Sequence, residues 1–390
     1  GKFHRKATPG GWRDDLTPEQ AEIVERITAP LLEEFYPTRG GEGEPSLPVR
    51  EYALSKVTRG LRTFLNLKVG LTRDVELAEL REIKNGAGTG GPRPENIVWI
   101  FGDGRTGSTW LMRMVEELEG QTLWREPMVG LLFGYLYYLW ADEKRHKTKH
   151  FILGRYRASW LGSMRGFILQ EAMTRFPDLK EDEYLVVKEP NGSIGAPLLM
   201  GALPESRMTL LVRDPRDVVA SSMDAHRKGS WHYERRNLQE SLAEERPKDF
   251  VERRAHKYLW YVGNSKLAYD THQGPKVMVR YEDLRADTLG TMRRIYSSLG
   301  IEVDEAELSG AVEKHSWENV PEEEKGEGKF HRKATPGGWR EDLTPEQAEI
   351  VERITAPLLK EFSYPYEGDS ESLSERLASS WRWMRMLYGP

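Results

Sequence analysis

Cysteine is missing from this sequence of 390 residues. Its absence excludes disulfide bonds, a thiolate nucleophile and zinc sites built on cysteine ligands. A chain of this composition suits a reducing compartment, a heat-tolerant protein or an engineered one. Because no N-terminal signal peptide is visible either, we expect a cytoplasmic protein.

A strong excess of one charge is also missing, because 57 Lys and Arg residues balance 62 Asp and Glu residues and leave a net charge of -5. Such a balance gives no general attraction to nucleic acid or to an anionic membrane, so we predict no nucleic-acid partner. Any anion site must therefore be local. The nine histidines form no helical pair with supporting carboxylates, and we predict no metal site.

Long apolar runs are lacking too. The longest, PMVGLLFGYLYYLW at residues 127–140, is too short to cross a bilayer, so we predict no transmembrane segment. A run of this length is typical of a core helix. Its aromatic bias leaves a second interpretation, a lid or a surface that docks apolar acceptors.

What the sequence does contain is a regular alternation of short apolar runs and helical patterns from residue 96 onward. This alternation predicts a three-layer α/β/α fold with a central, mainly parallel sheet. In such sheets ligands bind at the carboxyl ends of the strands, where charged residues cluster in this chain. We divide the chain into a duplicated segment with a linker, a helical extension with a linker, a main domain and a C-terminal helical tail: 1–50, 51–95, 96–366 and 367–390.

The first 35 residues recur near the other end of the chain, at residues 328–362. The two copies differ only at Asp14, which is Glu341 in the second copy, and at Glu33, which is Lys360. Two distant copies with nothing similar between them do not make a repeat protein, which needs a short fixed period. The segment therefore predicts one working part present twice.

A glycine-rich turn, GDGRTGSTW at residues 102–110, lies between a predicted strand and a predicted helix. Free backbone N–H groups and the helix N-terminus make such a turn an anion cradle. Gly102 and Gly107 have the spacing of a nucleotide-triphosphate loop, but Ser108 stands where that loop has its lysine. This replacement argues against ATP chemistry, and the cation lies inside the loop as Arg105.

This turn resembles the phosphate loop of sulfotransferases that use 3'-phosphoadenosine 5'-phosphosulfate (PAPS) and release 3'-phosphoadenosine 5'-phosphate (PAP). The resemblance implies that the turn cradles the 5'-phosphosulfate and that the tryptophan after it packs on the adenine. The residues concerned are Arg105, Thr106, Gly107, Ser108, Thr109 and Trp110.

Three further blocks follow in the order of the family. RDPRDVVAS implies that Arg213 and Ser221 bind the 3'-phosphate, and YEDL implies that Tyr281 approaches the adenine. RKATPGGWR resembles the late loop that folds over the cofactor, so Arg332 and Lys333 are predicted to grip the 3'-phosphate. Ala334 replaces the first glycine of that loop.

The general base is predicted from the same resemblance. Many cytosolic members place a histidine two residues after a lysine, but Lys188 is followed here by Glu189 and Pro190. Branches such as the tyrosylprotein sulfotransferases have an arginine in the loop and a glutamate about twenty residues later, which Arg105 and Glu126 resemble. We therefore predict Glu126 as the general base, with Glu189 as the alternative. Arg105 and Lys188 are predicted to flank the transferring sulfuryl group and the leaving phosphate oxygen.

The leading hypothesis is transfer of a sulfuryl group from PAPS to the hydroxyl of a small molecule, aromatic or lipid-like to judge from the aromatic stretch. A nucleotide or small-molecule kinase and a non-catalytic PAPS-binding protein are the alternatives. The C-terminal copy of the duplicated segment holds the family's position, so the clamp role is assigned to it. Residues 1–37 are then a spare copy, or a segment that swaps onto a neighbouring molecule in a homo-oligomer.

Overall fold

The computed structural model describes residues 17–18, 92–140, 157–236, 241–330, 332–368 and 371–380. All of these except 17–18 belong to the unit Gly86–Pro390. The duplicated segment at the N-terminus and the extension 51–91 therefore lie outside the described residues. The predicted division of the chain into four parts stays a prediction.

Five parallel strands form one sheet in the order β2-β3-β1-β4-β5. They are β1 (Ile97–Phe101), β2 (Gln121–Arg125), β3 (Tyr184–Lys188), β4 (Arg207–Val212) and β5 (Lys276–Arg280). Four of them are the apolar runs that the sequence predicts. The strand β2 is not predicted, because Gln121, Thr122 and Arg125 in it are polar and only Trp124 is buried.

Helices connect and cover the strands. In chain order they are α1 (Ser108–Val115), α2 (Val129–Trp140), α3 (Arg157–Arg175), α4 (Ala196–Ala202), α5 (Pro215–Ala225), α6 (Trp231–Arg236), α7 (Leu242–Glu245), α8 (Pro247–Thr271), α9 (Tyr281–Ala286), α10 (Thr288–Leu299), α11 (Glu305–Lys314), α12 (Trp339–Asp342), α13 (Pro345–Glu361) and α14 (Leu373–Ser379). None of the helices within the described ranges is both long and apolar enough to cross a membrane.

The core lies on both faces of the sheet, since successive side chains of a strand point to opposite faces. Trp99 on β1 faces a cluster that includes residues of α8 and α13, whereas Ile100 faces one that includes residues of α1, α10 and α11. Both faces are therefore covered, and the predicted three-layer α/β/α fold with a parallel sheet is confirmed.

The carboxyl ends of all five strands meet at one edge of the sheet. Directly after these ends come Gly102, Glu126, Glu189, Arg213 and Tyr281. Because the strands are parallel, the topology alone brings these five positions together, although 179 positions separate the first from the last (281 − 102). The candidate site occupies this edge.

Candidate functional site

The glycine-rich turn after β1 forms a tight loop that leads into α1. Gly107 has a φ of 91°, and a Cβ there would lie 2.6 Å from the ring of Tyr281. Only glycine therefore fits this position, and the ring of Tyr281 packs directly on the loop. Arg105 also has a positive φ, 73°, a conformation that costs free energy for a non-glycine residue and is concentrated at functional sites.

A buried ion pair holds the loop from below. The Asp103 carboxylate is fully buried and accepts a hydrogen bond of 2.5 Å from Arg254 on α8. Arg254 also donates to the carbonyl of Gly104 at 2.9 Å and to the Ser222 hydroxyl at 2.9 Å. Neither Asp103 nor Arg254 belongs to the predicted site residues. Their pairing spans 151 positions and has no signal in the local sequence.

Arg105 points toward α5 and the late loop. Its Nε donates to the Ser221 hydroxyl at 3.0 Å, and its guanidinium donates to the carbonyl of Phe330 at 3.1 Å. The same group lies over the rings of Trp231 and Phe330 at 5.6 and 5.3 Å. Burial, with the nearby charge of Arg213 as the next cause, lowers the pKa of Arg105 to about 10. This cation is therefore placed to gain from an anionic ligand.

Arg213 lies beside it at the end of β4. Its guanidinium donates to the carbonyl of Arg105 at 3.1 Å and covers the Tyr281 ring at 4.4 Å. Its nearest carboxylate, Asp217, is 3.9 Å away. The indole of Trp110 stands edge-on to Tyr281, with its N–H donating to the carbonyl of His315 at 2.7 Å. Arg213 and Ser221, which are predicted to bind the 3'-phosphate, thus lie close to Trp110 and Tyr281, which are predicted to contact the adenine.

Glu126 and Lys188 form the other half of the site. The Lys188 ammonium donates to one Glu126 carboxylate oxygen at 2.5 Å, and the Asn191 amide donates to the other at 3.0 Å. Lys188 also contacts the Thr109 hydroxyl at 3.2 Å, which ties the pair to the start of α1. The backbone of Glu126 is held at a φ of 49°. The structure thus joins Glu126 to Lys188, and it joins Arg105 to Ser221.

Glu189, the alternative base, has a different surrounding. Its carboxylate is fully buried and accepts hydrogen bonds from the N–H groups of Met128 and Gly130 at 3.0 and 2.9 Å. It caps the start of α2 and holds the turn that carries Glu126. Burial is the main reason that the pKa of Glu189 is raised to about 7. Its contacts are those of a positioning residue, and they favour Glu126 as the base.

The shifted pKa of Glu189 predicts a pH dependence of stability. Glu189 keeps its proton up to about pH 7 in the folded chain, whereas it loses the proton near pH 4.5 in the unfolded chain. The protonated side chain therefore stabilises the fold fully below about pH 4.5, and this stabilisation is lost as the pH rises through about 7. We expect Glu189→Gln to flatten the decline in the free energy of unfolding between about pH 5 and about pH 8. Urea denaturation measures it, with the exposed Glu313→Gln as control. Equal slopes in Glu189→Gln and the wild type would contradict the assignment.

The late loop is held by carboxylates of α5. Asp217 accepts hydrogen bonds from the N–H groups of Gly337 and Trp339 at 2.8 and 2.9 Å, and Asp224 accepts one from Gly328 at 3.0 Å. The predicted RDPRD block therefore supplies the attachment of the loop as well as Arg213. The loop runs into α13, which begins with a capping box: the Gln347 N–H donates to the Thr344 hydroxyl, and the Thr344 N–H donates to the Gln347 amide oxygen.

The cations of this loop are paired with acids. Arg332 lies 2.6 Å from Asp342 and 3.5 Å from Asp224, and Lys333 contacts Asp342 at 3.1 Å. Ala334, which replaces the family's glycine, has a φ of 50°. Its backbone thus adopts the left-handed conformation for which glycine is the usual residue, which explains the glycine of the family pattern.

Many of these groups line one cavity of about 1060 Å³, whereas Asp103, Glu189 and Asp224 lie behind its lining. Its lining includes nearly every predicted site residue: Arg105, Gly107, Ser108, Thr109, Trp110, Glu126, Lys188, Arg213, Ser221, Tyr281, Arg332 and Lys333. Thr106 is buried beneath the loop, where its hydroxyl donates to the carbonyl of Asp103 at 2.7 Å. Sequence reasoning missed Asp217, Asn191 and Lys257 of the lining.

The aromatic stretch has a different place. Phe133 on α2 packs edge-on against Trp160 and Phe167 of α3 at 5.9 and 5.4 Å, on the outer side of the core. Phe133 of the aromatic stretch and its neighbour Trp160 do not line the cavity, whereas Trp231 on α6 does. In the described part of the chain, no three His, Asp or Glu side chains are arranged to hold a metal ion.

Solved structures of sulfotransferases resemble the chain distantly. A mouse sulfotransferase, SULT7A1, complexed with PAP, is 15% identical with a TM-score of 0.45, over 71% of this chain and 88% of that chain. Sulfotransferase STF9 from Mycobacterium avium is 14% identical with a TM-score of 0.47, over 76% and 82%. Retinol dehydratase, complexed with retinol and PAP, is 19% identical with a TM-score of 0.40, over 74% and 88%.

Similarity at this level carries no argument about the site, and no curated protein sequence matches the chain significantly. The assignment rests on the family model described as the sulfotransferase domain, which matches residues 95–363. This match covers more than half of the chain and confirms the predicted family and enzyme class, a PAPS-dependent sulfotransferase. The chain belongs to the sulfotransferase family.

Proposed function

We propose that this sulfotransferase moves the sulfuryl group of PAPS to the hydroxyl of a small acceptor, with Glu126 as the general base. One observation carries the proposal. A single cavity is lined both by the Glu126–Lys188 pair and by the group of Arg105, Ser221 and Arg213. A base and an anion site are thus combined at the carboxyl edge of one sheet.

The donor side fits an adenine nucleotide with two anionic groups. The Arg105 guanidinium is partly buried and donates to two neutral oxygens, and the buried Nε of Arg213 has no hydrogen-bond partner among the described residues. Such donors match the acceptor oxygens of a phosphate. We assign the 3'-phosphate to Arg213, Ser221, Arg332 and Lys333, and the adenine to Trp110 and Tyr281.

The acceptor side fits proton removal. PAPS supplies a sulfuryl group on a phosphate leaving group, and the protein supplies a base and positive charge. Glu126 takes the proton of the acceptor hydroxyl while the hydroxyl oxygen forms a bond to the sulfur of PAPS. The bond between this sulfur and the phosphate oxygen of the departing PAP breaks in the same step. Lys188, placed between Glu126 and the start of α1, stabilises the developing negative charge. Arg105, which donates a hydrogen bond to Ser221, is assigned to the binding of the sulfuryl donor PAPS.

A kinase is the second candidate, since its loop chemistry overlaps. Ser108 in place of the loop lysine speaks against it. Incubation with PAPS or with ATP separates the candidates, because a sulfotransferase releases PAP, a kinase releases ADP, and a binding protein releases neither. Release of ADP alone would overturn the proposal.

The duplicated segment offers a matched pair of variants. Replacing Arg332 and Lys333 by alanine removes two cations from the cavity, so we expect the affinity for PAP to fall about 30-fold or more. Replacing Arg5 and Lys6, the same residues of the first copy, is expected to leave it within about twofold, as is deletion of residues 1–37. Calorimetry with PAP measures both. The reverse pattern would make the N-terminal copy the working clamp.

Two further predictions accompany this proposal. A homo-oligomer formed by swapping of residues 1–37 stays a prediction, and size-exclusion chromatography of the deletion variant tests it. The cytoplasmic location stays a prediction that rests on the cysteine-free composition.

A further inference from the structure

The wall of the cavity beyond the donor residues is basic. Lys257 on α8 and Arg235 and Arg236 on α6 line it, and none of the three is needed for the nucleotide in the assignment above. Lys257 follows Arg254 by three positions on the same helix, so both project from one face toward the cavity. Lys257, Arg236 and Glu126 all line the same cavity.

Among the described residues, Lys257 has one long ion pair and no hydrogen-bonded carboxylate. Its side chain is 30% exposed, and its ammonium lies 3.9 Å from the nearest carboxylate oxygen, on Asp103. It lies 4.8 Å from the centre of the Tyr261 ring. Burial lowers the pKa of Lys257. A partly buried ammonium without a hydrogen-bonded acceptor is costly unless a ligand supplies one.

Helix α6 contributes Arg235 and Arg236 to the lining of the cavity, whereas Glu234 of the same helix does not line it. Arg235 and Arg236 are exposed and form no ion pair among the described residues. His232 is held neutral, since burial, with His226 as the next cause, lowers its pKa to about 4. The nearby carboxylates are occupied elsewhere, Glu126 by Lys188 and Asp103 by Arg254.

We propose that the acceptor carries an anionic group, a carboxylate or a phosphate, which Lys257 and Arg236 bind while its hydroxyl faces Glu126. The proposal rests on the proposed function above and narrows its acceptor class. The acceptor is then selected by its charge. An apolar wall formed by α2 and α3 does not select it, because none of the described residues of these helices lines the cavity. The acceptor skeleton can still be aromatic or aliphatic.

Matched acceptor pairs test it on three skeletons: hydroxyphenylacetate and its methyl ester, an ω-hydroxy fatty acid and its methyl ester, and a sugar phosphate and the parent sugar. Binding to the PAP-saturated enzyme is measured by calorimetry and transfer from PAPS by kcat/KM. We expect the charged member of at least one pair to bind about tenfold or more tightly than its neutral partner. A preference in the first or second pair indicates a carboxylate on the acceptor, and a preference in the third pair indicates a phosphate.

Variants of Lys257 and Arg236 test whether these two residues cause the preference for the charged acceptor. Lys257→Met and Arg236→Met are expected to reduce the preference to within about twofold while PAP affinity is unchanged. Lys180→Met and Arg293→Met, exposed residues outside the cavity, serve as controls. Equal binding of charged and neutral members in every pair, or a preference that survives both variants, would overturn the proposal. Failure of the wild-type protein to bind PAP would instead contradict the proposed function.

Discussion

Replacing Glu126 by glutamine is expected to lower kcat by about 10²–10⁴-fold, the usual contribution of a positioned general base. Glutamine keeps the shape, and its single amide oxygen can accept a hydrogen bond from one of the two donors, Lys188 or Asn191, but it cannot take a proton. The affinity for PAP should stay within about twofold, because the donor contacts of Arg105 and Arg213 are untouched.

The comparison needs two companions. Glu116→Gln changes a surface carboxylate that pairs with Arg125, and it should retain wild-type kcat. Glu126→Asp keeps the base but shortens it, so its activity should lie between those of the wild type and the glutamine variant. Near-normal turnover of Glu126→Gln with intact PAP binding would refute the role of Glu126, and attention would pass to Lys188 or to a group on the acceptor.

The second large effect concerns stability. Arg254→Met removes the partner of the fully buried Asp103 and is expected to destabilise the fold by about 3–5 kcal/mol, as loss of one member of a buried ion pair usually does. Lys257, 3.9 Å from the other carboxylate oxygen, provides only partial compensation. Denaturant unfolding measures the change. PAP affinity should also fall, because Arg254 holds the carbonyl of Gly104 in the loop.

A double-mutant cycle separates the pair from simple loss of packing. Adding Asp103→Asn removes the uncompensated charge, so the double variant should recover part of the stability lost in Arg254→Met. If the two effects simply add, Asp103 and Arg254 do not act as a pair. Arg293→Met, which breaks an exposed pair with Glu305, should change stability by less than about 1 kcal/mol.

Much of the fold is predictable from the sequence. Buried parallel strands are short and continuously apolar, so four of them stand out between the helical patterns. The strand β2 escapes this signal because Gln121, Thr122 and Arg125 are polar and only Trp124 is buried. The other edge strand, β5, is predicted because its sequence KVMVR places apolar residues at alternate positions and buries Val277 and Val279.

The candidate site is predictable where the residues form contiguous blocks. The phosphate loop and RDPRD carry their own spacing, and parallel topology then places both at one edge. Asp103 with Arg254 and Asp217 with Gly337 are different, because each contact joins positions more than a hundred residues apart. Such pairs depend on how helices pack, which local patterns do not encode.

Backbone conformation is a further limit. Arg105, Glu126 and Ala334 all have positive φ values of 73°, 49° and 50°. Without a glycine, the sequence gives no warning of a left-handed residue at these positions. Their concentration around one cavity is typical of functional sites, where the surrounding structure maintains strained conformations.

The most direct test of the central claim follows the sulfuryl group itself. PAPS radiolabelled in that group is incubated with the enzyme and with the acceptor pairs described above, and the label is traced by mass and by chromatography. The account predicts that the label becomes covalently bound to the acceptor oxygen, with one PAP released for each sulfated product, and that Glu126→Gln nearly abolishes the transfer. Label that remains on PAPS, or leaves only as free sulfate, would contradict it.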